Sequence, residues 1–274
     1  MDALSHLFHY FPFRTELFFI GNLCQIAHFE SKNKGLLHFI RRGRCLFQLP
    51  NQTAKQINEP CVILSAEQPH YIHPLDDELE IFCIHFDFGE NVFNPISYTM
   101  HNQVVILTLT EQPELGLIAQ EIFREKEQQD CGFQAVIHHL IAYATLQTIR
   151  CCLKQKRIRT GILRGLTDKL LAPALLAIHQ SPEQPWQLET LAEKALMSRS
   201  KFAAYFKNIM GLPPMEYVAQ WRISVAQTLL LKNIPISLVA EKVGYSHNAA
   251  FTRAFLRIVG QPPSEWLKQQ KSAS

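Results

Sequence analysis

The 274-residue chain lacks any apolar run of about 18 residues, the length that a membrane-spanning helix requires. Its N-terminus lacks a basic segment followed by an apolar one, so a signal peptide is not expected. Its seven cysteines are odd in number and include no Cys-x-x-Cys pair, which argues against a disulfide framework. These absences predict a cytoplasmic protein with free thiols and no membrane partner.

A large excess of one charge is also missing, since the formal net charge is only +3. The two halves nevertheless differ: residues 1–149 carry 9 basic and 17 acidic side chains, or −8, and residues 150–274 carry 18 and 7, or +11. A basic C-terminal half suits a partner rich in phosphate groups. Because uneven charge also arises from ordinary solvated faces, this signal needs a second feature beside it.

The second feature is a motif that occurs twice in the basic half. At a constant offset of 49 residues, Phe202, Phe206, Ile209, Gly211, Pro213 and Pro214 recur as Phe251, Phe255, Ile258, Gly260, Pro262 and Pro263. Residues 192–194 recur as residues 240–242, at an offset of 48. Such a duplication indicates one structural unit built twice and held at a fixed separation. This suits a protein that reads two adjacent stretches of DNA.

Each copy predicts a helix-turn-helix unit, at about residues 187–211 and 236–260. In the second copy we expect Ser237 and Ser246 to cap the two helices, and Gly244 and Gly260 to end them. In the first copy Ser198 is the corresponding cap. Residues 214–232 predict a connecting helix of roughly 28 Å, which could hold two reading helices about one DNA turn apart. A single amphipathic helix would be ambiguous, and it is the repeat that favours DNA binding.

The phenylalanines and the isoleucine fall at i, i+4 and i+7 and should face the core. The remaining positions predict ten DNA-binding residues: Arg199, Ser200, Ala203, Ala204 and Lys207 in the first copy, and Asn248, Ala249, Thr252, Arg253 and Arg257 in the second. Arg253 can make a bidentate contact to guanine, and Asn248 can make one to adenine.

These residues resemble the arabinose-regulator (AraC/XylS) family of bacterial transcription regulators, over about residues 168–267. The most specific stretches are 191–192, 197–200, 206–207, 211–214, 217, 221–222, 240, 243–245, 250–251, 253–255 and 260–264. The resemblance implies double-stranded promoter DNA and RNA polymerase as partners. It also implies base-reading positions at Ser200, Ala203, Ala204, Asn248, Ala249 and Arg253. The chain departs from the family at Leu196, where the second copy has Gly244, and at its two reading alanines. We therefore expect the second unit to make more of the base-specific hydrogen bonds.

The N-terminal half predicts a different fold. Short apolar runs separated by turn residues predict strands at 17–20, 23–26, 36–40, 45–49, 61–64, 70–72 and 79–86. This pattern favours an antiparallel barrel or jelly roll, followed by helices at about 114–126 and 134–154. The chain is therefore expected to be an α+β two-domain protein, with domains at 1–155 and 168–274 and a solvated basic linker at 156–167. The helix at 134–154 is apolar over more than one stripe, which suits either a homodimer interface or deep burial within one chain.

The layout of the first domain resembles the cupin-like sensor domain of one branch of the family, on residues 14–19, 37–39, 42–43, 60–64 and 69–70. This resemblance implies a small-molecule effector inside the barrel. The candidate ligand-binding residues are His38, His70, His73 and His85, although core histidines would give the same pattern. Metal-binding cupins use a His-x-His pair, which this chain lacks, so no metal, no cofactor and no catalytic residue is expected.

The cysteines suggest core packing in most places. Cys24, Cys45, Cys61 and Cys83 lie in apolar runs, where cysteine is usually a small core residue. Cys151 and Cys152 lie beside Arg150 and Lys154, and these cations would lower a thiol pKa, as in a redox sensor.

The leading hypothesis is a DNA-binding transcription regulator, not an enzyme, whose N-terminal domain senses a small, apolar or aromatic molecule. The alternatives are a metal-dependent cupin enzyme, a methyl-accepting cysteine repair protein or a thiol redox sensor, each fused to a DNA-binding domain. A regulator without any ligand is a further alternative.

Overall fold

Short apolar runs form nine strands in the part of the chain that the computed structural model describes, residues 13–31, 34–66, 68–87, 104–158 and 160–273. They are β1 (Arg14–Asn22), β2 (Ala27–Phe29), β3 (Gly35–Arg42), β4 (Cys45–Gln48), β5 (Lys55–Ile57), β6 (Cys61–Ala66), β7 (His70–Pro74), β8 (Glu80–Asp87) and β9 (Val104–Thr108). The described residues divide into two units, and Ile158 is the last residue of the unit that contains the strands. We call this unit the sheet unit.

The strands form two antiparallel sheets, with the orders β1-β8-β3-β6-β9 and β2-β7-β4-β5. Apolar side chains from both sheets, such as Ile40, Ile63 and Ile81 from the first and Phe47 and Ile72 from the second, pack into one core. The prediction of an antiparallel sheet domain is confirmed. Of the two expected forms, a barrel or a jelly roll, the described strands do not form a closed barrel, because no ladder joins the two sheets, and the domain is a two-sheet sandwich.

The predicted strand at 23–26 is also wrong, because this segment carries the chain from the first sheet to the second. The backbone N–H of Leu23 donates to the carbonyl of Leu79 at 2.9 Å, and Ile26 is 63% exposed. Pairing resumes only at β2, where Ala27 faces Ile72 of β7.

Among the described residues, two helices complete the sheet unit, α1 (Pro113–Gln128) and α2 (Phe133–Lys154), close to the predicted bounds. Phe123 of α1 packs edge-on against Phe82 of β8, with ring centroids 5.6 Å apart, so α1 covers the face of the first sheet that points away from the second. In α2, one side is buried, but Val136 and Tyr143 are 41% and 49% exposed. Burial within one chain therefore accounts for only part of the apolar surface of α2.

The second unit of the described chain, the helical unit, contains eight helices. They are α3 (Ile162–Thr167), α4 (Ala172–Gln180), α5 (Leu188–Lys194), α6 (Arg199–Met210), α7 (Pro214–Leu231), α8 (Ile236–Lys242), α9 (Asn248–Val259) and α10 (Pro263–Ala273). No helix in the described ranges of either unit is long and apolar enough to cross a membrane.

The solvated linker predicted at 156–167 is wrong for its second half, because α3 packs inside the helical unit. Ile162 and Leu163 are buried, and the N–H of Gly161 donates to the carbonyl of Ile209 at 2.8 Å. A Cβ atom on Gly165 would lie 2.7 Å from the side chain of Leu175, so α3 approaches α4 closely. The basic residues of this segment indicated a solvated linker, although its apolar residues are buried.

Candidate DNA-binding interface

The duplicated motif forms two helix-turn-helix units of matching size. Helices α5 and α8 have 7 residues each, and the reading helices α6 and α9 have 12 each. Four residues, 195–198, separate the helices of the first unit, and five, 243–247, separate those of the second. This one additional residue explains why the sequence offset changes from 48 to 49. The predicted helix-turn-helix pairs and the connecting helix α7 are confirmed.

The helix caps agree with the sequence prediction only in part. Gly211 and Gly260 end α6 and α9 in the left-handed conformation, as expected. Ser237 and Ser246 are not caps, since Pro235 precedes α8 and His247 precedes α9. In α8 the ring of Pro235 already sets φ, and the longer second turn moves the start of α9 past Ser246. Ser198 holds the cap position of α6, although its side chain makes no cap hydrogen bond.

The repeated aromatic residues form the core of each unit. Phe202 and Phe206 are buried with ring centroids 5.5 Å apart, and Phe251 and Phe255 are buried with centroids 5.7 Å apart. Ile209 is also buried, whereas its counterpart in the second unit is only partly buried. Burying one stripe of each reading helix leaves its opposite stripe open to a partner.

The ten predicted DNA-binding residues lie largely on that open stripe. Eight are exposed: Arg199, Ser200, Ala204, Lys207, Asn248, Ala249, Arg253 and Arg257. Ala203 and Thr252 are half-buried, each one residue after a core phenylalanine. Lys201 is not among the ten predicted residues, but it is exposed near the start of α6 and adds a cation there. The contacts of these side chains with DNA remain predictions.

One of the ten is already engaged within the protein. A guanidinium nitrogen of Arg199 lies 2.8 Å from a carboxylate oxygen of Glu189 on α5. Both side chains are exposed, so the pair contributes little to stability. It does hold the guanidinium over α5, and contact of Arg199 with a phosphate would require the side chain to leave Glu189.

Asp168 anchors the first reading helix from outside the repeat. One carboxylate oxygen accepts hydrogen bonds from the N–H groups of Leu170 and Leu171, each at 3.1 Å, just before α4. The other accepts the hydroxyl of Tyr205 on α6 at 2.8 Å, and this bond raises the pKa of Tyr205. In the sequence Asp168 is recognisable only as the start of the second domain, because nothing in the sequence pairs it with Tyr205.

The connecting helix α7 is buried at its centre. Trp221 and Tyr217 are fully buried, and the ring of His179 from α4 stacks on Trp221 at 3.7 Å between centroids. The Nε2 atom of His179 lies 2.6 Å from the hydroxyl oxygen of Tyr217, which makes a buried hydrogen bond between α4 and α7. The connector is therefore part of the core of the helical unit.

In the sheet unit, two of the four candidate histidines meet between the sheets. The Nε2 atoms of His38 and His70 are 2.8 Å apart. The Nδ1–H of His70 donates to the carbonyl of Gln68 at 2.7 Å, so its Nε2 accepts from His38. The Nδ1 of His38 then accepts from the thiol of Cys83 at 3.0 Å. Burial lowers the pKa of both rings, which keeps them neutral.

The other two candidates differ from each other. His85 lies two residues after Cys83 on β8, on the face that points toward the second sheet, and its ring stacks on Phe18 at 4.1 Å between centroids. His73 follows the inward-facing Ile72 on β7 and points to the opposite face. The structure therefore brings three histidines to one end of the space between the sheets and leaves His73 outside. No group of three or more His, Cys, Asp or Glu side chains in the described ranges is arranged to hold a metal ion.

The thiols are mostly core groups. Cys45, Cys61 and Cys83 are buried in strands, as predicted. Cys24 is exposed and lies outside any strand, so its assignment to the core is wrong. The predicted low pKa at 151–152 is also wrong, because burial raises the pKa of Cys151 and raises that of its neighbour to about 12. Desolvation of these thiols outweighs the nearby cations.

Comparison with known proteins adds a family assignment to this geometry. Residues 2–154 match a family model described as a cupin, and residues 191–269 match one described as a helix-turn-helix domain. The chain is 36% identical to the HTH-type transcriptional regulator AlkR of Acinetobacter baylyi, over 98% of this chain and 100% of that protein. It is 28% identical to an uncharacterized HTH-type transcriptional regulator of Haemophilus influenzae, over 98% and 99%. It is 26% identical to the solved DNA-binding domain of AdpA in complex with a target DNA, with a TM-score of 0.37, over 39% of this chain and 96% of that one.

Proposed function

The chain belongs to the AraC family of DNA-binding transcription regulators with an N-terminal cupin domain, and we propose that both of its helix-turn-helix units read promoter DNA under the control of a small-molecule effector. One observation carries the first part of the proposal. The two reading helices have the same length and the same buried aromatic stripe, and eight of the ten predicted contact residues lie exposed on the opposite stripe.

The outward-facing side chains of the two helix-turn-helix units differ in the DNA contacts that they can make. On α9, Asn248 and Arg253 supply side chains that can bind adenine and guanine edges in the major groove. At the 49-residue offset, Asn248 and Arg253 correspond to Arg199 and Ala204 on α6. The guanidinium of Arg199 is engaged with Glu189, and Ala204, like Ala203 before it, can contact only a thymine methyl group. The second unit therefore supplies most of the base-specific hydrogen bonds, and the first adds Ser200 and phosphate contacts from Lys207.

The effector binds at the histidine end of the space between the two sheets. There, Phe18 and Phe29 lie close to His38, His70 and His85. The pair His38–His70 has its ring nitrogens bonded within the protein, whereas the buried Nδ1 of His85 has no hydrogen-bond partner among the described residues. A small, largely apolar or aromatic molecule with one hydrogen-bonding group suits this surrounding.

The DNA-binding domain begins near residue 160, because α3 packs within the helical unit, and the sensing domain precedes it. The exposed apolar side chains Val136 and Tyr143 on α2 support a homodimer. The protein acts in the cytoplasm with RNA polymerase as a partner, and it has no catalytic activity of its own.

Two measurements on the purified chain test this function. Selection of binding sites from a random duplex library should return one sequence with two conserved segments about one DNA turn apart. Recovery of only one short segment would contradict reading by both helix-turn-helix units.

The second measurement is a screen of small apolar and aromatic molecules. We expect at least one of them to raise the melting temperature of the sheet unit, since a ligand that binds only the folded state stabilises it. The variant His85→Ala should remove this shift, and an unchanged shift would move the effector site elsewhere.

A further inference from the structure

Arg222, on the connecting helix, makes hydrogen bonds to backbone groups next to both helix-turn-helix units. Its Nε donates to the carbonyl of Pro182 at 2.8 Å, and its Nη2 donates to the carbonyl of Gln184 at 2.7 Å. Both carbonyls belong to the segment that leads into α5 of the first unit. Its Nη1 donates to the carbonyl of Gly244, in the turn of the second unit, at 3.2 Å. A single guanidinium thus bonds to the first unit's leading segment and to the second unit's turn.

The same two segments also touch directly. A Cβ atom placed on Gly244 would lie 2.6 Å from the carbonyl oxygen of Glu183 and 2.9 Å from its Cα, so only glycine leaves room for the contact. The first unit's leading segment therefore rests against the second unit's turn. The connecting helix is therefore not the sole link between the two helix-turn-helix units.

The surroundings of Arg222 make this link rigid. The side chain is half-buried, its guanidinium carbon lies 5.5 Å from the centre of the Tyr245 ring, and burial lowers its pKa. All three acceptors are main-chain carbonyls, whose positions follow the chain path and not a side-chain rotamer. The planar guanidinium has its donors at fixed angles, which a lysine ammonium cannot reproduce.

We propose that Arg222 is a positioning residue that fixes the separation and the relative rotation of the two reading helices, and so the spacing between the two DNA segments that the protein accepts. One additional base pair moves a DNA segment by about 3.4 Å along the axis and rotates it by about 34°. A rigid connection between the units accepts one such spacing, whereas a loose connection accepts several and lowers the effective concentration of the second unit at its segment.

This inference rests on the proposed reading of DNA by both units. Its test is the selection of sites from a random duplex library by the full-length chain, with Arg222→Ala and Arg222→Lys as variants. Ile223→Val is the matched control, since Ile223 is the next residue on α7 and is buried but belongs to the core of the second unit. Each selected site is then resynthesised with one base pair added or removed between its two segments, and with one segment scrambled.

For the original chain and for Ile223→Val, we expect one spacing among the selected sites and a loss of at least about tenfold in affinity when the spacing changes by one base pair. For Arg222→Ala we expect several spacings, a loss of less than about threefold on the same change, and affinity for the scrambled single-segment duplex within about twofold of the original. Arg222→Lys should lie between the two.

An equal loss of affinity at every spacing in both Arg222 variants would overturn the inference, because it would indicate only a less stable fold. If Arg222→Ala does not fold, the spacing profile of Arg222→Lys decides the question, and a profile equal to that of Ile223→Val would overturn the inference. If the original chain itself shows no dependence on spacing, reading by both units fails, and the inference fails with it.

Discussion

Leu196 and Gly244 hold the same place in the two turns and share a left-handed backbone, with φ of +53° and +83°. The turn between the two helices of each unit thus requires this conformation whether or not the residue favours it. Glycine adopts it freely, whereas a residue with a Cβ atom is strained there by roughly 1 kcal/mol or more. The side chain of Leu196 is 90% exposed, so packing does not offset that strain.

Leu196→Gly should therefore stabilise the helical unit by about 1 kcal/mol, because it removes the strain at the first turn. Leu196→Ala is the control, since it shortens the exposed side chain and keeps the strain. The three tryptophans, at positions 186, 221 and 266, all lie in the helical unit, so tryptophan fluorescence during urea unfolding follows that unit alone. Equal midpoints for the two variants would contradict the prediction.

Gly244→Ala should destabilise the helical unit by about 3 kcal/mol or more, because its Cβ would combine backbone strain with a clash against the carbonyl of Glu183. Gly260→Ala has almost the same φ, +85°, but its Cβ would meet nothing within 4 Å. This second variant should lose only about 1 kcal/mol. The difference between the two variants in unfolding free energy therefore measures the contact between the turn of the second helix-turn-helix unit and the segment that leads into the first. Similar losses in the two variants would argue against that contact.

Arg253→Ala should weaken binding to the selected site by about 1–3 kcal/mol and relax the preference at one base position, because a bidentate base contact is lost. Lys207→Ala should weaken all sequences alike and reduce the salt dependence by about 0.9 in the logarithmic slope, as expected for one phosphate contact. Both are measured by titration of labelled duplexes at several salt concentrations. If Arg253→Ala affected specific and random DNA equally, the second unit would not be the main reader.

Acidification should destabilise the sheet unit, because burial lowers the pKa of His38, His70 and His85 in the folded state. Below about pH 6.5 the unfolded chain takes up protons that the folded chain excludes, so stability falls as pH decreases. For His38 alone, the loss approaches about 1.4 kcal/mol per pH unit.

Urea unfolding near pH 7.5 and pH 5.5, followed by circular dichroism, measures this loss. Far-ultraviolet signals report both units, and the helical unit is subtracted with its tryptophan transition. The variant His38→Gln should lose less stability between the two pH values than the original chain. An identical loss would mean that His38 does not exclude protons in the folded state.

The local elements of the helical unit were largely predictable. The spacing of Phe202 and Phe206 identified the buried stripe of α6, and the glycines after α6 and α9 marked their ends, because periodicity and left-handed turns depend on neighbours within a few residues. The predicted cap Ser246 was wrong, because the second turn has one residue more than the first and shifts the start of α9. The predicted cap Ser237 was wrong, because Pro235 holds the position before α8. In the sheet unit, antiparallel strands were predictable, but the crossing between sheets at Leu23 looked like a strand because it is equally apolar.

The amino-acid sequence alone specified two repeated helix-turn-helix units, an antiparallel sheet domain and the side chains that face outward, since all of these follow from short-range patterns and from a repeat. Folding in three dimensions established which distant groups meet. The pairs His38–His70, Asp168–Tyr205 and Arg222–Gly244 are 32, 37 and 22 residues apart in the chain. No local propensity encodes such pairs, because they arise only when packing of the apolar core brings the segments together.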